Sequence, residues 1–322
     1  MLDKDDYIMS EQNIQEELVD VSNMGRVRPW KGKKLRNLMV SEIYKDVDEK
    51  KSIRLASCAT FVQFAVDPLG KKCLKSANFC RVRLCPMCTW RRSLKIFSQV
   101  SRIMNGLQSE GGYEYLFLTL TVKNCVGNEL SEVLDYLFYA WQKFCKSKVF
   151  KKTVRGWYRG LEITHNISDN TYHPHFHCVL VVNKSYFESR NYVTQAVWTS
   201  LWKRALGVDY TPIVNIKKTY GVRAKTIIEA VKYTVKDTDY IKPEDWELSV
   251  EIVRVLDAAL GGRRLVAFGG KFKEWHKRLN LDDAVDGDLV RVDSECPEMD
   301  VEGPILSYEW NVGYQQYRCV KF

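Results

Sequence analysis

Residues 173–182 read His-Pro-His-Phe-His-Cys-Val-Leu-Val-Val, and this stretch decides the predicted fold. A short apolar run rich in β-branched residues is typical of a buried strand. Because successive side chains on a strand point to opposite faces, His175 and His177 share one face, while Phe176 and Cys178 point into the core on the other. The strand therefore presents two imidazoles side by side.

Strands and helices are predicted around this segment. The hydrophobic pattern predicts strands at 115–122, 157–164 and 213–218, and helices at 89–103, 130–144 and 193–205. The turn-rich residues 166–170, Asn-Ile-Ser-Asp-Asn, join strand 157–164 to the histidine strand as a hairpin. Antiparallel strands with helices between them indicate an α+β fold, in which helices flank a single central sheet and cover one of its faces.

A metal site follows from the predicted hairpin. If its two strands pair, the carboxylate of Glu162 faces His175 and His177. Two imidazoles and one carboxylate form a three-point site that suits Mg or Mn, although imidazole also accepts Co, Ni or Zn. An ion held there would polarise a phosphate group. His173 is an alternative ligand, but Pro174 is expected to mark the start of the strand.

A second group of polar side chains lies downstream. Glu229, Tyr233 and Lys236 share one face of a predicted helix, since residues three and four apart are neighbours there. The pKa of a free tyrosine is about 10, so a nucleophilic Tyr233 needs a cation or a base beside it. Tyr240 is a second candidate nucleophile, but residues 237–239 are expected to end the helix before it. Taken by itself, Tyr233 is better explained as a core residue of an amphipathic helix. Only its occurrence together with the histidine pair favours a catalytic role.

The cysteines predict a separate metal site. Residues 79–88, Phe-Cys-Arg-Val-Arg-Leu-Cys-Pro-Met-Cys, end in a cysteine pair with the spacing of a zinc knuckle. Cys58 and Cys73 compete for the fourth position. Cys58 is preferred, because it lies in a strand-like run, residues 55–64, that can fold back onto this segment. The predicted ligands of one structural zinc ion are Cys58, Cys80, Cys85 and Cys88.

Charge is distributed unevenly along the chain. The net charge is +9, but residues 281–302 carry nine Asp or Glu against the single Arg291, so the rest of the chain carries +17. This excess, interleaved with Trp and Tyr, favours nucleic acid as a partner. Residues 26–36 are either an arm that lies along phosphates or a basic linker. The predicted DNA contacts are Arg26, Arg28, Lys33, Lys34, Arg91 and Arg92.

Composition also bounds the location and the domains. The N-terminus lacks the apolar segment of a secretion signal, and the chain has no run of 18 apolar residues. A cytoplasmic protein is expected, away from membranes, with its ten cysteines as thiols or metal ligands. The predicted parts are 1–50, an acidic N-terminus and basic arm; 51–105, the zinc-binding element and a helix; 106–242, a nuclease core; and 243–322, a C-terminal region with the acidic stretch.

Three ordered stretches resemble the motifs of rolling-circle plasmid replication initiators, in the one-tyrosine branch of the HUH endonucleases. They are Phe-Leu-Thr-Leu-Thr-Val-Lys-Asn at 117–124, His-Pro-His-Phe-His at 173–177 and Glu-Ala-Val-Lys-Tyr-Thr-Val-Lys-Asp-Thr-Asp at 229–239. The cysteine-containing segment 80–92 looks like the cysteine element of these initiators. The resemblance spans roughly residues 26 to 290, judged by motif order.

The resemblance implies the HUH fold and a metal-dependent DNA endonuclease and strand transferase. His175 and His177 would bind the metal, and Tyr233 would nick the double-strand origin, leaving a 5′-phosphotyrosine and a 3′-hydroxyl primer. Glu229 would activate water for hydrolytic termination. The resemblance supports Glu162 as third metal ligand less directly, because this assignment depends on the inferred hairpin. Double- and single-stranded origin DNA and a host helicase are the implied partners, and a homodimer is left open.

Two other functions fit the same residues. A single-strand transposase or mobilisation relaxase of the same superfamily would use the same chemistry, and the genetic context of the gene would distinguish it. A non-enzymatic zinc-containing DNA-binding regulator would use the histidine strand only as structure. Metal-dependent nicking that is lost in Tyr233→Phe would separate the enzymes from the regulator.

Overall fold

The computed structural model describes residues 17–22, 25–188, 192–219, 231, 234–292 and 303–320. The chain divides into two compact units, Met1–Lys95 with Asp288–Phe322, and Ile96–Gly287. This division differs from the four predicted parts, because the C-terminal residues belong to the same unit as the cysteine segment. Among the described residues, no helix has the length and apolar content needed to cross a bilayer.

Helices and strands follow one another along the described residues. The helices are α1 (Trp30–Tyr44), α2 (Glu49–Ala56), α3 (Pro86–Glu110), α4 (Leu130–Lys146), α5 (Lys148–Thr153), α6 (Gln195–Leu206), α7 (Asp237–Tyr240), α8 (Trp246–Leu260) and α9 (Lys271–Arg278). The strands are β1 (Phe61–Val66), β2 (Lys72–Ala77), β3 (Tyr113–Thr121), β4 (Val154–Asn166), β5 (Thr171–Asn183), β6 (Val214–Thr219), β7 (Val266–Gly270), β8 (Ile305–Asn311) and β9 (Gln316–Val320). All the elements predicted between residues 89 and 218 are present, with shifted ends.

The first unit contains an antiparallel sheet in the order β2-β1-β8-β9. Its core is aromatic. The Trp30 ring lies 4.9 Å from Trp90 and 5.7 Å from Phe64, both edge-on, and the indole N–H of Trp30 donates to Asp20 at 2.8 Å. Trp30 is 2% exposed. The basic stretch predicted as an arm or linker is therefore the start of a packed helix.

Three of the six cations predicted to contact DNA point into this unit instead. Lys34 is fully buried and donates to two main-chain carbonyls at 2.7 and 2.9 Å. Arg91 is fully buried as well, and it donates to two carbonyls at 2.9 and 3.0 Å. Arg28 pairs with Asp20 at 2.6 Å, and its side chain is 9% exposed. The prediction is wrong for these three, because internal acceptors hold them. The three that remain candidates are Arg26, Lys33 and Arg92.

The second unit contains a five-stranded antiparallel sheet in the order β6-β3-β5-β4-β7. The histidine strand β5 is central, and it forms the predicted hairpin with β4. It begins at Thr171 and not at Pro174, because the ladder with β4 continues through the proline to the turn. These strands and helices confirm the α+β class.

Helices cover both faces of this sheet. On one face, Val179 and Val181 of β5 belong to the same buried cluster as Val100 and Ile103 of α3. On the other face, the ring of Phe176 lies 5.9 Å from that of Trp141 in α4. The expectation of one covered face is therefore wrong. The continuous apolar run of β5 explains the difference, because such runs are typical of strands buried on both sides.

A glycine makes the sharp connection between β7 and α9 possible. Gly270 has φ +52°, and a Cβ there would overlap the carbonyl oxygen of Arg155. We expect Gly270→Ala to lower the free energy of unfolding by roughly 2–4 kcal/mol, since backbone strain and steric overlap add.

The matched control is Gly112→Ala. Gly112 has φ +79°, but no atom lies within 4 Å of the position that an added methyl group would take, so only the backbone cost of about 1 kcal/mol is expected. Urea denaturation of the two variants and the parent chain measures both effects. An equal decrease in the free energy of unfolding in both variants would show that the chain near Arg155 moves aside without cost.

Candidate metal centres

Three side chains of the β4–β5 hairpin converge on one point. The register places Glu162 opposite His175, with His177 two residues further along β5. The His177 Nε2 atom lies 2.7 Å from Glu162 Oε2, and His175 Nε2 lies 3.4 Å from the same oxygen. The two Nε2 atoms are 3.2 Å apart. All three side chains are buried, and we call them the triad.

Neighbouring groups fix the orientation of both imidazoles. The Nδ1 atom of His175 lies 3.2 Å from the carbonyl oxygen of His173, and that of His177 lies 3.3 Å from Thr119 Oγ1. A carbonyl can only accept, so Nδ1 of His175 carries the proton and its Nε2 presents a lone pair to the triad. Phe117 stacks on the His177 ring at 5.4 Å. Such outer contacts are typical of histidines that bind metals.

The spacing of the triad fits a divalent ion. Two lone pairs 3.2 Å apart repel each other unless a cation lies between them or one ring is protonated. Ligand atoms at right angles around an ion with bonds of about 2.1 Å are about 3.0 Å apart, close to the separations here. Burial raises the pKa of Glu162, but hydrogen bonds and charge from His175 and His177 outweigh it and hold this pKa well below its ordinary value. An ionised carboxylate is thus available as a ligand.

The predicted tyrosine helix is described only in part. Glu229 and Tyr233 lie outside the described residues. Lys236 is described, and its Nζ atom lies 3.6 Å from Glu162 Oε1, so the predicted cation does reach the triad. Its backbone is extended, with φ −76° and ψ 145°, because Lys236 caps the short helix α7. The prediction that Lys236 continues a helical stripe is therefore wrong.

The residues around Lys236 are attached to strand β4. The main-chain N–H of Ile163 donates to the carbonyl oxygen of Thr234 at 2.7 Å. Val235 is buried. Residues 237–239, expected to end a helix, begin α7 instead, and Tyr240 at its end is 2% exposed. A phenol that is this deeply buried is a poor candidate for attack on DNA.

Sequence reasoning missed two side chains near the triad. Alternation places Thr119 on one face of its strand, but its hydrogen bond to His177 needs the β3–β5 register. Asp239 lies in α7, and its main-chain N–H donates to Lys236 at 2.9 Å. Burial raises the pKa of Asp239, with Lys236 acting in the opposite direction. No spacing pattern in the sequence distinguishes this aspartate from its neighbours.

Four cysteines of the first unit form the second cluster. The Sγ atom of Cys58 lies 3.6 Å from those of Cys85 and Cys88, and Cys80 Sγ lies 3.7 Å from Cys88 Sγ. A tetrahedral zinc site with bonds of about 2.3 Å has sulfurs about 3.8 Å apart. The four cysteines therefore have the spacing of a closed zinc site.

Cys58 reaches the cluster by a different route from the predicted one. It lies in a turn after α2, and β1 begins only at Phe61, so the strand-like run predicted at 55–64 is confirmed for residues 61–64 and wrong for residues 55–60, which include Cys58. Cys73 is disulfide-bonded and is not part of the cluster. The expectation that every cysteine is a thiol or a metal ligand is therefore wrong for Cys73.

Hydrogen-bond donors surround the four sulfurs. The main-chain N–H groups of Cys80 and Arg81 and the side-chain amide of Asn37 each donate to a sulfur at 3.2–3.3 Å. Burial lowers the pKa of Lys34, while the charges of nearby cysteines raise it. Burial also raises the pKa of Cys85. Four adjacent thiolates need a cation between them, and these donors fit a metal–thiolate centre.

Comparison with known proteins gives a consistent picture. Residues 71–318 match a family model described as replication protein. Protein rep of Bacillus amyloliquefaciens is 40% identical to this chain over an alignment 337 residues long. The alignment covers 96% of this chain and 98% of the relative. Protein rep of Streptococcus pneumoniae serotype 2 (strain D39 / NCTC 7466) is 35% identical over an alignment 317 residues long. This alignment covers 95% of this chain and 96% of the relative. No solved structure matches significantly.

The cysteine cluster yields a prediction about metal content. In a His177→Ala background, which removes one ligand of the triad, we expect about one zinc ion per chain. Adding Cys58→Ser should remove most of it, whereas adding Cys73→Ser should not. Elemental analysis by mass spectrometry after gel filtration measures the ratio. Full zinc content in the Cys58→Ser variant, with loss in Cys73→Ser, would reverse the assignment of the fourth ligand.

Proposed function

The chain belongs to the replication protein family of plasmid rolling-circle initiators, and we propose that it nicks the double-strand origin through attack of Tyr233 on a phosphodiester. The observation that carries this proposal is the convergence of Glu162, His175 and His177 beside Lys236, three residues after the proposed nucleophile. Chemistry of this kind needs a polarised phosphate and an activated phenol at the same place.

The triad is proposed to hold Mg or Mn. When bound, the ion would supply Lewis-acid polarisation of the scissile phosphate. The chain's own contribution is orientation. Thr119 and the carbonyl of His173 hold the two imidazoles with Nε2 towards the site. Glu162 supplies the negative charge, and its burial keeps competing water away from the ligand atoms.

Tyr233 is proposed as the nucleophile on the strength of the motif at 229–239. The phenol gives up its proton to solvent, its oxygen forms a bond to phosphorus, and the bond from phosphorus to the 3′ oxygen breaks. The 3′ oxygen takes up a proton and becomes the primer hydroxyl, and the 5′ phosphate remains on the tyrosine. Lys236 follows Tyr233 by three residues in the chain, and its positive charge would favour the phenolate form of a tyrosine brought close to it.

Glu229 is proposed to act only at termination. It accepts a proton from water, whose oxygen attacks the phosphorus of the regenerated origin and displaces the 3′ oxygen. No second protein–DNA bond forms, so the enzyme is released from its product. The two glutamates thus have separate functions, since Glu162 serves the metal throughout and Glu229 serves one step.

The central test is covalent capture. Incubated with supercoiled plasmid carrying its own gene region, the chain should nick one strand at a site that can be mapped. A labelled oligonucleotide spanning that site should leave its label on a peptide containing Tyr233. Tyr233→Phe should reduce nicking at least about a thousandfold, as expected for loss of a nucleophile. Tyr240→Phe is the matched control, and label on Tyr240 would overturn the assignment.

A second prediction separates the two glutamates by the step that they serve. Glu229→Ala should keep the first nick, because attack by Tyr233 does not need the water base, but protein-linked or over-replicated strands should accumulate. Glu162→Ala should slow both steps, with partial rescue at high Mn concentration. Nicking and replication assays on the same plasmid measure the two steps. If Glu229→Ala blocks the first nick as strongly as Tyr233→Phe, hydrolytic termination by Glu229 is wrong.

A further inference from the structure

Helices α1 and α2 are joined by a turn of the length found in helix–turn–helix motifs. Helix α1 ends at Tyr44 and α2 begins at Glu49, so a four-residue turn joins them, as is typical of this motif. Asp48 caps α2 by accepting a hydrogen bond from the main-chain N–H of Lys51 at 3.1 Å. The second helix of such a motif is the one that enters the major groove of DNA.

The two helices are held together tightly. The hydroxyl of Ser52 donates to the carbonyl of Ser41 at 2.8 Å, and the hydroxyl of Ser41 donates to the carbonyl of Ser52 at 3.1 Å. Both serines are buried, and their small size allows a close crossing. Lys34 of α1 donates to the carbonyls of Ala56 and Cys58, at and just beyond the end of α2. These hydrogen bonds satisfy main-chain carbonyls that lack partners within the helix at its C-terminal end.

The cysteine cluster also holds the C-terminal end of α2. Cys58 lies two residues after the helix and belongs to the cluster. The guanidinium of Arg54 donates to the carbonyl of Cys80 at 2.6 Å. Helix α2 buries only Ser52 and Leu55. A short helix with so little buried surface is therefore held in place by the turn, the serine pair and the cluster.

The outer face of α2 is exposed and has a mixed character. Lys50 and Ile53 are both exposed and lie three residues apart, which places them on the same side of the helix. Ile53 is 65% exposed between two cations. Lysine binds phosphates and guanine, and an aliphatic side chain contacts the methyl group of thymine.

The charge of the surrounding chain fits the same partner. Residues 25–95 carry eighteen Lys or Arg against five Asp or Glu. We propose that α2 enters the major groove of duplex DNA with Lys50 and Ile53 and reads the double-strand origin. The choice of the origin as ligand rests on the proposed function, whereas the choice of duplex DNA rests on this helix and its charge.

The first test measures binding to duplex DNA. Short duplexes tiled across the chain's own gene region locate the bound fragment, and a scrambled duplex gives the background. Lys50→Ala with Ile53→Ala should weaken binding to that fragment at least about tenfold, the range expected for lost base contacts. Both changes keep good helix formers, so the zinc content should stay the same. Lys273→Ala, which removes one exposed charge from α9, is the control and should bind as the parent does.

The second test addresses the contact made by Ile53. Replacing thymine by deoxyuracil at single positions of the bound duplex removes one methyl group. At one position or more, this should weaken binding of the parent chain about fourfold, the effect expected for one buried methyl. The Ile53→Ala variant should not respond at those positions. A parent chain that binds every deoxyuracil duplex equally well would overturn the contact between Ile53 and thymine.

Failure of this inference is distinguishable from failure of the proposed function. Nicking of a single-stranded oligonucleotide that contains the mapped site needs the triad but not duplex reading, so the α2 variants should nick it normally. If they do, yet bind the duplex fragment as the parent does, the helix–turn–helix inference is wrong and the nuclease stands. If the parent nicks nothing but its duplex binding depends on Lys50 and Ile53, the inference stands and the nuclease is wrong.

Discussion

The register of the β4–β5 hairpin is the constraint on which the candidate active site depends. It places Glu162 opposite His175, and a slip of one residue would turn the carboxylate to the other face of the sheet. Core packing fixes this register, because Tyr158 and Val179 pair across the same two strands within the buried cluster under α3. The positions of the three ligand atoms are therefore set by apolar contacts several residues away.

Both candidate metal centres follow one design. Buried charged ligands are costly unless other polar groups satisfy them, and each centre has such groups built in. At the triad these are Thr119 and a carbonyl of β5, and at the cysteine cluster they include Lys34 and Asn37. A cation would complete each set, since two facing imidazole nitrogens repel each other unless a cation or a proton lies between them, and four adjacent thiolates repel one another. In both places the surrounding contacts orient the ligands before an ion arrives.

Sequence patterns predicted local structure well and distant contacts poorly. Alternation along β4 and β5 is a local property, so it located the hairpin and the face that Glu162 shares with the histidines. The pairing of β1 with β8 joins residues more than 200 positions apart, and no period in the sequence indicates it. The cations show the same limit. Lys34 and Arg91 are residue types that are common on DNA-binding surfaces. In the folded chain, however, their side chains donate to main-chain carbonyls inside the protein.

The assignment of the nucleophile depends on the residues that follow Tyr233. Thr234 accepts a hydrogen bond from Ile163, the residue after Glu162, and Lys236 lies 3.6 Å from Glu162 itself. Two contacts to adjacent positions of β4 thus attach this segment to the strand that carries the third ligand. Tyr240, by contrast, is separated from Lys236 by the length of α7 and is buried. Burial therefore makes Tyr240 a poor candidate for attack on a phosphate at the triad, and the proposal of Tyr233 as nucleophile continues to rest on its motif.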